Sequence, residues 1–158
     1  MKTLTFGIEI ETVGVRRPAM AEAIATALGG RFDSWDSSVV DAQGRTWRVV
    51  SDGSLSGSVN GEVVSPILRY EDMGDLMKVI RALADAGCQV DPSTAIHIHI
   101  GTRGIATRAL TNLMKMVYKN ERLIEHALGV QQARLGRYCR PIDESLIQRI
   151  DGSRRMTA

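Results

Sequence analysis

Glu9, Glu11, Glu62, His97 and His99 are the side chains whose type and spacing could do chemistry in this sequence. Phe6-Gly7-Ile8-Glu9-Ile10-Glu11-Thr12 reads as a strand. Alternation puts Phe6, Ile8, Ile10 and Thr12 on one side, and Gly7, Glu9 and Glu11 on the other. The two carboxylates lie roughly 7 Å apart along such a strand. Each disfavours ionisation of the other unless solvent screens them or a cation sits beside them. Thr94-Ala95-Ile96-His97-Ile98-His99-Ile100-Gly101 repeats the device, with three isoleucines on one face and His97 and His99 on the other. Glu-x-Glu or His-x-His alone is ordinarily a solvated face. Their joint occurrence, in a chain with three histidines, is a more specific signal. If the strands share a sheet, Glu9, Glu11, His97 and His99 project into one concavity, and Glu62 joins them from Gly61-Glu62-Val63-Val64-Ser65-Pro66. Such an oxygen-rich set favours Mg²⁺ or Mn²⁺. Zinc is less favoured, because no cysteine takes part and no His-Glu-x-x-His helix is present.

The elements that must position these groups follow from periodicity and punctuation. Pro18 suits a helix first turn, and the strong helix formers after it stop at Gly29-Gly30. Trp35 to Val40 and Arg45 to Val50, around Asp41-Ala42-Gln43-Gly44, read as a hairpin. Asp52-Gly53-Ser54-Leu55 is a turn, and Pro66 closes the Glu62 strand. Met73, Leu76, Met77, Ile80, Leu83 and Ala84 predict the buried stripe of a helix over 70–86, ended by Gly87. Thr107 is placed to cap a long helix with Leu110, Leu113, Met114, Val117, Ile124 and Leu128 as its stripe. A last helix is expected from about Asp143 towards Ile150. Strands interleaved with layer-forming helices predict an α+β fold: a mostly antiparallel sheet with helices on one face.

Bulk properties exclude several classes. The 158 residues suffice for one domain with a core, and 44% hydrophobic with 24% charged residues is ordinary for a globular chain. A net charge of +2, with dispersed basic residues, argues against a nucleic-acid partner. Cys88 and Cys139 lie in no metal-binding pair and read as reduced thiols. No run approaches a signal peptide or the ~20 apolar residues of a membrane span. A cytoplasmic, soluble protein is the expectation.

The ordered motifs Phe6-Gly7-Ile8-Glu9-Ile10-Glu11, Asp52-Gly53-Ser54-Leu55, Gly61-Glu62-Val63-Val64-Ser65-Pro66 and His97-Ile98-His99 resemble those of the amidoligase family. That family belongs to the glutamine-synthetase-like carboxylate–amine ligases, which include glutamate–cysteine ligase. The resemblance runs from about residue 4 to about residue 141, where Arg137-Tyr138-Cys139-Arg140-Pro141 is also family-like. It implies a curved antiparallel sheet forming a funnel, and ATP-dependent amide formation with two or more Mg²⁺ or Mn²⁺ ions. Carried over by position, Glu9, Glu11, Glu62 and His97 become metal ligands, and His99 a phosphate contact or an orienting group. Asp52 becomes a substrate contact. Arg134 and Arg137 are the candidates for the cation that meets a tetrahedral oxyanion. Substrates would be a small-molecule or peptide carboxylate and an amine.

Family members are generally longer and return with further strands after the helical region. Residues 1–158 are therefore expected to form one catalytic domain, shortened or N-terminal, with unpaired sheet edges that invite homo-oligomers. Two other classes stay open: a metal-dependent hydrolase that activates water, and a non-catalytic interaction module whose Glu and His pairs are solvated.

Overall fold

The computed structural model describes residues 3–130, 132–136 and 139–155. The chain divides into two compact units, Met1–Thr102 and Arg103–Ala158. The first carries β1 (Phe6–Val13), α1 (Arg17–Leu28), β2 (Arg31–Asp33), β3 (Ser38–Val40), β4 (Thr46–Val50) and β5 (Asn60–Val64). A 3₁₀ turn at Tyr70–Asp72 leads into α2 (Met73–Asp85), and β6 (Ile96–Ile100) ends the unit's regular structure. The strands form one open sheet in the order β2-β3-β4-β5-β1-β6, with antiparallel neighbours throughout. The fold is α+β, as the pattern of elements predicts.

One face of the sheet is apolar because the strands alternate. Val39, Trp47, Val49 and Val63 are buried there against Met20, Ile24 and Leu28 of α1 and Leu76, Val79 and Leu83 of α2. Each such aliphatic side chain contributes about 1.5–3 kcal/mol when fully removed from water. Phe6, Ile8 and Ile10 pack partly buried against this cluster, which fixes β1 by its apolar side. Gly61 permits the close approach of α1. A Cβ there would meet Arg17 Cγ at 2.9 Å and Met20 Sδ at 3.1 Å. Gly29 ends α1 in the left-handed region, at φ 60°, and its N–H reaches back to the carbonyls of Ala25 and Thr26.

A polar knot ties the β3–β4 turn to the start of α2. Arg45 Nε donates to Asp41 Oδ2 (2.7 Å), Nη1 to Asp72 (2.6 Å) and Nη2 to Asp75 (2.7 Å). Trp47 Nε1 also donates to Asp41, at 3.2 Å. The Asp41 side chain is fully buried. Burial opposes its charge, but hydrogen bonds from the Arg45 backbone and guanidinium and from Trp47 outweigh that, and its pKa lies below the ordinary value.

The second unit consists of α3 (Thr107–Ala127), α4 (Gln132–Leu135) and α5 (Glu144–Arg155). Lys115 of α3 pairs with Asp151 of α5. The Glu121 carboxylate accepts the Ile142 N–H at 2.9 and 3.1 Å. Among the described residues, no helix is long and apolar enough to cross a membrane.

Several expectations need correction. Trp35 stands outside the hairpin, in a turn, and is 96% exposed. The buried line of α2 is Leu76, Val79 and Leu83, whereas Met73, Met77 and Ile80 are partly exposed. The apolar arc on that helix is wider than the surface it covers, so packing selects one edge of it. Ala106, not Thr107, occupies the cap position of α3. No residue of α3 is buried, and Leu113, Ile124 and Leu128 of its expected stripe are exposed. A short helical unit has too little interior to cover such a stripe. Strand β2 was not expected; three residues are too few for alternation to show.

Replacing Arg45 by Met would leave the buried Asp41 carboxylate without its cation. A loss of about 3 kcal/mol is expected in urea unfolding at neutral pH. Because the folded pKa of Asp41 is depressed, its contribution is present above the unfolded value and is lost as pH falls through the folded one. The gap between wild type and Arg45→Met is therefore expected to narrow on acidification below about pH 4.

Candidate metal centre

The face opposite the core collects the polar residues of the central strands. β1 lies between β5 and β6, with Glu11 opposite Glu62, Glu9 opposite His97 and Gly7 opposite His99. Because the Ile8 carbonyl accepts from Ser65, β1 turns the backbone groups of its apolar-face residues towards β5. Glu11 and Glu62 therefore form a non-hydrogen-bonded pair, the closer of the two antiparallel spacings. Two carboxylates directly opposite each other repel. Their proximity follows from backbone register, since Ile10 and Val63 beside them pack into the core and Thr12 and Gly61 on their other sides are buried.

His97 lies between the two β1 carboxylates. Its Nδ1 is 2.9 Å from Glu9 Oε2 and its Nε2 is 3.8 Å from Glu11 Oε1. His99 Nε2 is 3.2 Å from Glu9 Oε1. The His97 hydrogen bond, resisted by partial burial and supported by His99, lowers the pKa of Glu9. Burial first, then the charges of Glu9, Asp52 and Glu11, pushes Glu62 up. Asp52 follows β4 in the Asp52-Gly53-Ser54 turn and accepts the Ser54 N–H at 2.7 Å, a bond that lowers its pKa.

Two groups of donor atoms are compact enough to hold a metal ion: Glu9 with Glu62 and His97, and Glu11 with Asp52 and Glu62. Within each group the atoms lie within 4.8 Å of one another. Glu62 belongs to both. Five carboxylate or imidazole side chains thus form two adjoining cradles, and the shared carboxylate is the one that its neighbours hold least comfortably charged. The donors are oxygen with one imidazole, and no cysteine, which fits Mg²⁺ or Mn²⁺.

The sequence-derived candidates divide cleanly. Glu9, Glu11, Glu62, His97 and His99 come together on one face, and Asp52 joins them as a member of the second cradle, where a substrate contact was expected. Arg134 belongs to α4 in the second unit, and Arg137 lies outside the described residues. Sequence reasoning missed Arg48. It sits between the buried Trp47 and Val49 on β4, so it faces the open side, in a row reading Arg48–Val64–Glu9 across the sheet. The alternation Trp47-Arg48-Val49 was the available signal. A recess of about 250 Å³ opens beside Glu9 and His99, with Gly7, Ser65 and Pro66 among its walls. A larger cavity of about 1020 Å³ in the second unit, lined by Tyr118, Arg122 and His126 among others, shares no residue with this face.

The sequence model of the family described as "Putative amidoligase enzyme" matches residues 2–158. No curated protein and no solved structure matches the chain.

Mn²⁺ or Mg²⁺ is expected to raise the melting temperature of the wild type, since a ligand at a hundred times its Kd adds about 2.7 kcal/mol. Glu62→Gln removes a donor from both cradles and a crowded charge from the metal-free face. The variant is expected to melt no lower than the wild type without metal and to lose the metal response, both read by differential scanning fluorimetry. A retained response would count against the shared carboxylate.

Proposed function

This chain belongs to the amidoligase family, and from that membership and its carboxylate–imidazole face we propose that it is an ATP- and Mg²⁺- or Mn²⁺-dependent carboxylate–amine ligase. The observation that carries the reading is the pair of donor groups sharing Glu62 on an open sheet face. Glu9, Glu62 and His97 would hold one cation, and Glu11, Asp52 and Glu62 a second. When bound, such ions neutralise the oxygens of a transferring phosphoryl group.

A carboxylate is a poor electrophile, and the proposed reaction activates it. The substrate carboxylate oxygen attacks the γ-phosphorus of ATP, the bond to the β-phosphate oxygen breaks, and ADP leaves. The amine lone pair then attacks the acyl phosphate carbon. The C–O bond breaks with release of inorganic phosphate, and the amine proton passes to solvent or to a carboxylate of the face. His99, against Glu9, holds that carboxylate in orientation, as outer partners of metal ligands do. Arg48 supplies a cation on the same face as the donors. Arg134 and Arg137 remain the sequence's candidates for the cation at the tetrahedral oxyanion. The recess beside Glu9 and His99 offers space for a substrate group.

The direct test incubates the protein with ATP, Mn²⁺ and pools of amino-acid or peptide carboxylates, with hydroxylamine as the amine. Formation of ADP, phosphate and a hydroxamate, all dependent on the acid, is expected. Glu62→Gln should reduce it by about a thousandfold or more, because metal-borne charge stabilisation is worth several kcal/mol. Comparing Arg48→Ala with Arg134→Ala identifies which arginine the reaction needs. Hydrolysis that proceeds without nucleotide would replace this reading with a metal-dependent hydrolase.

A further inference from the structure

β6 is an edge strand, and its open side is unusual in kind. Glu11 N–H donates to the Ala95 carbonyl (3.1 Å) and Gly101 N–H to the Thr5 carbonyl (2.8 Å). In an antiparallel ladder the residues facing a neighbour alternate, so His97 and His99 also turn their backbone groups towards β1. Ile96, Ile98 and Ile100 therefore direct their N–H and C=O groups to the free edge. Among the described residues no strand pairs with that edge. The same three side chains are 62, 65 and 52% exposed. Edge strands are ordinarily blunted by lysine, proline or a bulge; Ile96–Ile100 carries none of these.

We propose that β6 pairs with β6 of a second copy of this chain, antiparallel about a two-fold axis at Ile98, and that the pairing brings the partner's His99 beside His97. The strand is complementary to itself, which an isologous interface requires. Of the registers that keep isoleucine opposite isoleucine, the one centred on Ile98 pairs all three. Ile98 faces its own symmetry mate and Ile96 faces the partner's Ile100, which covers the exposed apolar stripe and satisfies the open backbone groups. The site face stays continuous across the junction. Its row reads Glu9, His97, the partner's His99, then the partner's Gly7. His97 and the partner's His99 form a non-hydrogen-bonded pair, the spacing at which side chains come closest. The first cradle thereby gains an imidazole, and no carboxylate meets a carboxylate across the axis. The strand pairing stands on backbone and apolar complementarity alone; the shared imidazole rests on the metal-site reading above.

The test keeps these two parts separate. Sedimentation of the full chain in EDTA is expected to show a concentration-dependent dimer. Ile98→Lys, which removes two isoleucines from the junction and puts two like charges opposite each other at the axis, is expected to weaken it about a hundredfold. Ile98→Cys is expected to form an interchain disulfide at residue 98 by peptide mapping, since directly opposed Cα atoms lie about 5.5 Å apart. Ile96→Cys is expected to form none, because its symmetry mate is offset by about 13 Å of strand. A monomer at all concentrations, a dimer indifferent to Ile98→Lys, or equal crosslinking at 96 and 98 would overturn the pairing. With the dimer established, Mn²⁺ is expected to tighten it in wild type and not in Glu62→Gln; an unchanged dimer constant would overturn the shared imidazole.

Discussion

Repulsion between Glu11 and Glu62, held opposite each other across two paired strands, is the constraint on which the rest of the structure turns. Left to themselves, two carboxylates at that spacing would separate, and the strands offer no such freedom. Ile10 and Val63 pair next to them and point into the core, where Val63 is buried beneath the helices. Moving the carboxylates apart would require a shift of register, and a one-residue shift would send every apolar side chain to solvent. Burial on one face thus maintains an electrostatic tension on the other. A divalent cation held there would relieve that tension, and so would a proton on Glu62, whose pKa is raised by burial and by its acidic neighbours.

Seen this way, the remote parts of the first unit have a common task. α1 lies directly over Gly61, the residue before Glu62, and a side chain there would collide with those of Arg17 and Met20. The Arg45 knot fastens the β3–β4 turn to the start of α2. Asp52, just beyond β4, inherits its position from that hairpin. The carboxylate–imidazole group is therefore assembled from β1, β5, β6 and one turn, with β1 and β5 anchored by packing on the far side. Proteins commonly keep such sites rigid by fixing their supports.

The edge at β6 shows the opposite economy. There the apolar side of the alternation is exposed, and the backbone beside it is open. The same alternation that presents His97 and His99 to the donor face presents three isoleucines to the other.

The sequence by itself determined the faces. Alternation in Phe6–Thr12, Gly61–Val64 and Ala95–Gly101 fixes which residues point together, because the strand period is two and the apolar residues must be buried. It also determined the α+β class, the turn at Gly29 and the approximate extent of the long helices. Only tertiary structure decided the neighbours. That β1 lies between β5 and β6, so that Glu62 is shared by two donor groups, depends on long-range strand order, and no local pattern encodes it. The same holds for Asp52, brought to the carboxylates by a turn, and for Arg48, whose relevance appears only once β4 is seen beside β5. The apolar stripes of α2 and α3 were legible as stripes. How much of each is covered depends on the surface it meets, and that is a property of the assembled layers, because burial is decided by what lies opposite.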